Sequence, residues 1–482
     1  MKNLNNFNNL KTLKNLKNLN NQYKQRKIMK HIFREYDIRG VFGKDLTEDI
    51  VKKIGFHLGK KIKGEYVFVS FDARTHSPIL HDWLVSGLNK AGKQVISGDM
   101  LPTGANYFAN FRPLCVENIG KVEIGGSIQI TGSHNPPEYN GFKITINKAP
   151  FFGKDIYALG DEVLNSQMKI EDNTNVIEYD LKSDYIDYLA NQFSHLKGLE
   201  LNALFDCGNG VAGVVLRDIL EKVGIKNYEI IFEEPDGTFP NHHPDPTEEE
   251  NLKEVYESLK KGKNFAFAFD GDADRIAFLD RKYNYKGDIL AYFFAKNMDN
   301  PCVISEVKAT QVMYDEINKF GRVIMYKTGH SNLKTLLKKE NCDLAAEVSG
   351  HIFFNDRYFG IDDAIYVAFR IMELIKEGFE FSKEFEKLPK VYNTDEIKVK
   401  TTEDKKFEII ENLKNYLNEN KNEFGIKEIV DIDGVRVIFE NGWGLVRASN
   451  TTPVLVTRFE AKNEESLKKI ENTLIKILNR FL

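Results

Sequence analysis

An α/β fold built from several successive domains is what this sequence predicts, and three observations predict it. Short apolar runs alternate with stretches of helical length from Ile32 to about residue 395. Glycine-containing polar segments come directly after those apolar runs, at the strand ends where open α/β sheets take ligands. The 482 residues exceed one usual domain, so three or four domains of roughly 100 to 150 residues are expected.

Composition narrows the function classes. A hydrophobic fraction of 42% is enough for well-developed cores, and a formal net charge of -4 argues against a general nucleic-acid surface. Small-molecule partners fit better. The four cysteines, Cys115, Cys207, Cys302 and Cys342, are isolated and read as reduced thiols without metal spacing. No stretch is apolar enough to span a bilayer and no signal-peptide core is present, so no stable membrane association and a cytoplasmic location are expected.

Residues 1–27 form a Lys/Asn/Leu tract with Leu10, Leu13, Leu16 and Leu19 spaced by three. Its Asn content opposes a firm helix, so a disordered extension is expected rather than a membrane-surface helix. The first domain, 28–180, opens with Tyr36-Asp37-Ile38-Arg39-Gly40, where Arg39 is either an ion-pair member or an anion ligand. A strand over Tyr66 to Phe71 runs into Asp72-Ala73-Arg74, and Ser77-Pro78 opens a helix to Ala91. A strand near Gln94 to Ser97 and a helix from Thr103 continue the alternation. The apolar run through Ile130 then meets Thr131-Gly132-Ser133-His134-Asn135-Pro136-Pro137. Glycine permits a tight bend and the two prolines stiffen the far side of the turn, so it either presents Ser133 to accept a phosphoryl or acyl group or is simply structural.

The second domain, 181–280, carries Asp206-Cys207-Gly208-Asn209-Gly210 after a strand over Leu201 to Phe205. It lacks the Gly-Lys-Ser/Thr end of a P-loop and fits a dinucleotide fingerprint only loosely. The loop Asp236 to Thr247 is capped by Thr247 into a Glu-rich helix, and its His242 and His243 read as loop structure because no third metal ligand accompanies them. The strand Phe265 to Phe269 delivers Asp270-Gly271-Asp272-Ala273-Asp274-Arg275. Three carboxylates at alternating positions can converge on a hard divalent cation, Mg²⁺ by preference, whereas a solvated acidic turn is the plain alternative.

The third domain, 281–395, repeats the alternation over Val303 to Val307, Arg322 to Met325 and Leu344 to Ala346. Lys327-Thr328-Gly329-His330-Ser331 can offer cations to an anion. Glu347-Val348-Ser349-Gly350-His351 is expected to set three polar side chains on one side of an extended segment, as a sugar-hydroxyl reader needs. A helix starts at Asp362 or Asp363. From 396 to 482 the composition shifts to Lys, Glu and Asn, with a helix near Asp404 to Asn418, strands near Val435 to Phe439, Gly444 to Ala448 and Val454 to Phe459, and a closing helix. Arg447-Ala448-Ser449-Asn450-Thr451-Thr452-Pro453 between two of these strands matches a phosphate nest or a plain polar turn.

Together, Thr131 to Pro136, Asp270 to Arg275, Glu347 to His351 and Arg447 to Pro453 resemble, in order and spacing, the four signature loops of the α-D-phosphohexomutases. With Tyr36 to Gly40 the resemblance runs from about residue 30 to the end. It implies three related mixed-sheet α/β domains plus a smaller C-terminal α+β domain around a central cleft. It implies phosphoryl transfer between O1 and O6 of a hexose phosphate through phospho-Ser133 and a hexose 1,6-bisphosphate, which serves as intermediate and activator. Ser133, Asp270, Asp272 and Asp274 would bind Mg²⁺. Arg39, Lys143, Arg275, Lys308, Lys327, His330 and His351 would line the reaction centre, Glu347 and Ser349 would hold sugar hydroxyls, and Arg447, Ser449, Asn450 and Thr451 the phosphate that does not react. Lys143 and His351 are the acid/base candidates, Lys143 first if nearby cations lower its pKa. Within the superfamily the loops resemble the phosphomannomutase/phosphoglucomutase branch. The alternatives are a phosphoglucosamine mutase or a sugar-phosphate-binding protein without turnover, as a monomer or homodimer. Phe71-Asp72-Ala73-Arg74 departs from the family pattern.

Overall fold

A computed structural model of the protein describes residues 30–450 and 452–482. The tract 1–27 lies outside the described residues.

The Tyr66–Phe71 strand is buried from Val67 to Phe71, the pattern of a strand covered on both faces. It lies parallel to Gln94–Met100 on one side and to Ile124–Ile130 on the other. The chain then reverses, so that Ile124–Ile130 pairs antiparallel with Tyr139–Ile146. The same four-strand unit recurs twice. Glu200–Asp206 lies between Lys226–Ile231 and Phe265–Phe269, and the latter returns antiparallel as Ile276–Asp280. Cys302–Glu306 lies between Arg322–Tyr326 and Leu344–Ala346, which returns as Ile352–Phe354. The serine, aspartate and Glu347 segments are therefore three versions of one hairpin loop, each between the third parallel strand and its antiparallel partner.

Helices cover these sheets for local reasons. Ser77–Lys90 carries Pro78 in its first turn, where no backbone donor is needed. Ala364–Lys376 is capped by Asp363, whose side chain accepts from Tyr366 N–H. One continuous apolar core, including Phe108, Phe205, Phe267, Phe293 and Phe369, joins the first three domains.

The last domain is of another kind. Its sheet is antiparallel, with Val454–Ala461, Gly442–Ala448, Val435–Phe439 and Glu428–Val430 in spatial order. The helices Lys406–Glu419 and Glu464–Leu478 close a separate core of Leu413, Val435, Leu455, Phe459 and Leu474. It also packs on the third domain, where Val307 lies against Trp443 and Leu445.

Three expectations are corrected. Cys302 and Cys342 are joined by a disulfide and are not isolated thiols, because the parallel pairing of Val303 with Leu344 brings their Cα atoms within 4.7 Å across a sequence separation of 40. Cys115 and Cys207 are free. Thr247 caps no helix: its hydroxyl bonds Asp245 at 2.6 Å, and a 3₁₀ turn over Glu249–Leu252 precedes the helix Lys253–Lys260. Glu347 to Gly350 is not extended either, since Gly350 N–H closes a turn on Glu347 C=O at 3.1 Å with φ of 93° at Gly350.

Candidate active site

Ser133 sits at the tip of the first hairpin loop with φ of 49°, a left-handed conformation on a residue that carries a Cβ. The bend is thus at the serine and not at Gly132. A Cβ on Gly132 would fall 2.1 Å from the Arg74 side chain, so glycine is required there for close approach. Arg74, fully buried, donates to the carbonyls of Ser133, Asn135 and Pro136. Asp72 accepts from Thr131 Oγ1 and Gly132 N–H, both at 2.9 Å. Arg39 donates to Gly132 C=O and, at 3.1 Å, to Asn135 Oδ1. Three buried charged side chains therefore hold the turn, and Arg39 is one of them. Asp72 and Arg74 belong to the segment whose sequence departs from the family pattern; their place directly after a buried strand was the available signal.

The second hairpin loop meets the first. Ser133 Oγ donates to Asp270 Oδ2 at 3.0 Å. Ligand atoms of Asp270, Asp272 and Asp274 lie within 4.8 Å of one another, all three buried. Burial, then the nearby Asp274 and Asp272, push the Asp270 carboxyl well above the usual carboxylate range. Burial also works against ionisation of Asp272, yet Lys143 outweighs it and holds that carboxyl low. Asp272 Oδ1 and Asp274 Oδ1 are buried and accept no hydrogen bond. Mutually repelling oxygens with unfilled lone pairs and no soft donor fit a hard divalent cation such as Mg²⁺, with Ser133 Oγ as a further oxygen beside them.

Lys143 Nζ lies 2.6 Å from Asp272 Oδ2 and also bonds Asp274 Oδ2. Burial favours its neutral form, but Asp272 and Asp274 prevail and its pKa is raised. The premise that cations lower it fails, because its neighbours are carboxylates. His351 turns away from Glu347: its Nδ1 faces Asp362 Oδ2 at 3.2 Å and Asp274 Oδ1 at 3.7 Å, and its Nε2 accepts from Arg275 Nε at 2.8 Å. Asp362, fully buried, is held by Lys334 at 2.8 Å. Neither was anticipated, since Asp362 reads as a helix start and Lys334 lies in none of the polar loops. His330 stacks on His351 at 5.5 Å between centroids, and burial lowers its pKa well below the ordinary value. Asp274, His351 and Asp362 form a second buried group with the donor spacing of a metal site.

The third loop lies beside Lys327 to His330. Glu347 Oε1 accepts from Gly329 N–H at 2.7 Å and Oε2 from Ser349 Oγ at 3.2 Å. Gly329 has φ of 117°, and a Cβ there would meet the Tyr36 ring at 2.3 Å. Tyr36 OH donates to Thr328 C=O at 2.7 Å and accepts from Asn450 Nδ2 at 2.6 Å, so first, third and fourth domains touch at one hydroxyl. Lys327 is exposed. Lys308 is buried, with Nζ 2.7 Å from Glu396 Oε1 and 3.5 Å from Glu306 Oε2. Burial draws its pKa down, but Glu306 and Glu396 prevail and it is raised to about 12.

In the fourth domain Arg447 Nε bonds Asp433 at 3.0 Å, and Ser449 Oγ lies 2.9 Å from Thr452 Oγ1. Thr451 lies outside the described residues. His242 bonds Asp206 at 3.1 Å and the carbonyl of His243, in line with a loop role.

Comparison with known proteins accounts for this arrangement. Four family models match in succession: phosphoglucomutase/phosphomannomutase alpha/beta/alpha domain I over residues 30–166, domain II over 183–285, domain III over 286–392 and the C-terminal domain over 396–477. A phosphomannomutase/phosphoglucomutase of Pseudomonas aeruginosa is 39% identical over 451 residues, 91% of this chain and 94% of that protein. A phosphoglucomutase of Neisseria gonorrhoeae is 37% identical over 460 residues, 92% of this chain and 96% of that one. The crystal structure of a phosphoglucomutase/phosphomannomutase family protein from Burkholderia thailandensis is 34% identical with a TM-score of 0.84, covering 94% of this chain and 97% of that one.

Proposed function

The chain belongs to the phosphoglucomutase/phosphomannomutase family of the α-D-phosphohexomutase superfamily and is an enzyme of phosphohexomutase type; from that premise we propose that it moves phosphate between O1 and O6 of glucose and mannose phosphates by way of phospho-Ser133. The observation that carries the reading is Ser133 Oγ, 3.0 Å from Asp270 in a buried three-aspartate loop.

Asp270, Asp272 and Asp274 would hold Mg²⁺, which when bound lowers the charge barrier between a phosphoserine and an incoming hydroxyl. The rest is positioning and charge, as phosphoryl transfer demands. Arg39, Arg74 and Asp72 fix the serine turn. His351 is held from both sides, Arg275 donating to its Nε2 and Asp362 facing its Nδ1. His351 Nε2 is the base for the sugar hydroxyl once Arg275 turns from it to the substrate phosphate and leaves its lone pair open. Lys143, held protonated by two aspartates, supplies positive charge and the proton that Ser133 Oγ takes up as its phosphoryl leaves. It takes that proton back when Ser133 attacks in the second transfer, in which His351 returns its proton to the sugar oxygen. The hexose 1,6-bisphosphate turns around between the two transfers, so Arg447, Ser449, Asn450 and Thr451 grip whichever phosphate is not reacting, with Lys308 and Lys327 beside it. Glu347 and Ser349 read hydroxyls common to both orientations. If those are O3 and O4, the difference at O2 between glucose and mannose goes unread.

The test is mutase turnover of purified protein on glucose 1-phosphate, mannose 1-phosphate and glucosamine 1-phosphate, with Mg²⁺ and catalytic bisphosphate. Turnover of the first two within a hundredfold of each other is expected. Preference for the amino sugar would overturn the substrate assignment, and no turnover of any of them the functional reading.

A further inference from the structure

The internal repeat exposes a residue that none of the four signature loops contains. In the first domain Phe71 pairs with Ile130, and the next residue, Asp72, accepts from the N–H two positions past Ile130, that of Gly132. In the third domain Ser305 pairs with Ala346, and the next residue, Glu306, accepts at 3.0 Å from the N–H two positions past Ala346, that of Val348. The two acids occupy the same point of the same four-strand unit and hold equivalent hairpin loops by equivalent bonds. One loop carries Ser133; the other carries Glu347 and Ser349.

Each acid also faces a cation two residues on, Asp72 the Arg74 guanidinium at 3.2 Å and Glu306 the Lys308 ammonium. Glu306 Oε1 takes the Val348 bond, while its Oε2 is buried without a hydrogen bond, 3.5 Å from the Lys308 ammonium. The side chain is fully buried. We propose that Glu306 is the positioning residue of the sugar reader, its ionised carboxylate holding the Glu347 to Ser349 turn and the Lys308 ammonium in one geometry that protonation loosens. The proposal rests on the reading of Glu347, Ser349 and Lys308 as hexose-phosphate contacts.

The surroundings set the charge of this group near neutrality. Burial raises its pKa, Lys308 opposes, and Glu347 and Glu396 raise it further, to about 7. Facing it are Lys308 from its own turn, Glu347 from the hairpin, Thr328 from the neighbouring strand end and Glu396 from the segment entering the fourth domain. Tyr314 from the Gln311–Ile317 helix and Arg447 from the fourth domain also sense its charge. A hydrogen bond to a carboxylate is stronger than one to a neutral acceptor, so the loop is held more firmly above the transition than below it.

The experiment compares wild type with Glu306→Gln, which keeps an oxygen for Val348 but has no charge. Binding of glucose 1-phosphate is measured by calorimetry at pH 6 and pH 8; taking the variant-to-wild-type ratio removes the titration of the ligand phosphate itself. The ratio of dissociation constants is expected to be about fivefold at pH 8 and under about twofold at pH 6. Equal ratios at the two pH values overturn the proposal. A second measurement needs no ligand: with ¹⁵N-valine labelling, the Val348 amide of wild type shifts with a midpoint near pH 7, and in the variant it does not. A Val348 amide that stays still in wild type between pH 6 and pH 8 also overturns it. Wild type that binds no hexose phosphate, with the Val348 amide titrating as expected, would refute the functional reading and leave Glu306 as the anchor of that loop.

Discussion

Ser133 carries its hydroxyl on a backbone that costs a residue with a Cβ roughly 1 kcal/mol or more, and three buried charged side chains keep it there. Ser133→Ala is therefore expected to abolish mutase turnover, while Ser133→Gly is equally inactive and unfolds in urea within about 1 kcal/mol of wild type, since relief of strain offsets the added freedom of the unfolded chain. Turnover by either variant would remove the serine from the mechanism. Glu306 gives a pH dependence of stability with a definite sign. Its folded pKa is raised from 4.5 to about 7, so the folded state holds a proton that the unfolded chain releases earlier. That contribution is complete below the unfolded value, is lost as pH rises through about 7, and stays lost above it. The stability of Glu306→Gln relative to wild type should thus climb between pH 4.5 and 7 and level off, as urea unfolding across that window will report. A flat difference would mean that the carboxyl keeps an ordinary pKa.

The elements that matter are the three hairpin loops and the turn that bears Lys308. Each hairpin loop comes after a strand buried on both faces, so its polar residues emerge at a fixed height above the sheet rather than on a free surface loop. The Lys308 turn is held from elsewhere. Buried Arg436 donates to the carbonyls of Val307 and, at 2.9 Å, of Ala309, and Arg458 donates to that of Lys308 at 2.9 Å. The Arg436 guanidinium lies 3.8 Å over Trp443. The fourth domain, which carries the Arg447 loop, thereby fixes the lysine of the third. Arg436→Ala is expected to cost about 3 kcal/mol of stability, by stranding two buried carbonyls and removing the stacked cation. It should also raise KM for hexose phosphate more than it lowers kcat, because Lys308 loses its place while Ser133 does not. Unchanged KM would uncouple the two domains. The strand positions were legible in the sequence because each is a short apolar run closed by glycine or a charged pair. The pairing across 40 residues that brings Cys302 to Cys342 was not, since spacing alone does not give strand order.

At the scale of the whole molecule, the site exists only where domains meet. Thr103 of the first domain donates to Asp272 at 2.6 Å, Lys143 reaches the same carboxylate, and Tyr36 reaches Thr328 and Asn450. The aspartate loop is the electrostatic weak point of this assembly, with mutually repelling carboxylates buried together. Removal of divalent metal is expected to abolish turnover, and Mg²⁺ at a hundredfold over its dissociation constant should stabilise the protein by about 2.7 kcal/mol. Thermal unfolding with and without Mg²⁺ after chelation checks this; an unmoved midpoint would mean that the loop takes no Mg²⁺. Among the described residues no helix is long and apolar enough to cross a membrane.

What the sequence determined by itself was the alternation of elements, the four polar loops and their order, because burial writes apolar runs and turns demand particular residues. Tertiary structure decided the rest. It placed the bend at Ser133 instead of Gly132, made Lys143 a bound cation by surrounding it with carboxylates, turned His351 toward Asp362, and gave Asp72, Arg74, Glu306 and Arg436 their parts. Each of these depends on which residues from distant parts of the chain share a buried volume, where charges are felt strongly and hydrogen bonds must be met, and a linear sequence carries no distances.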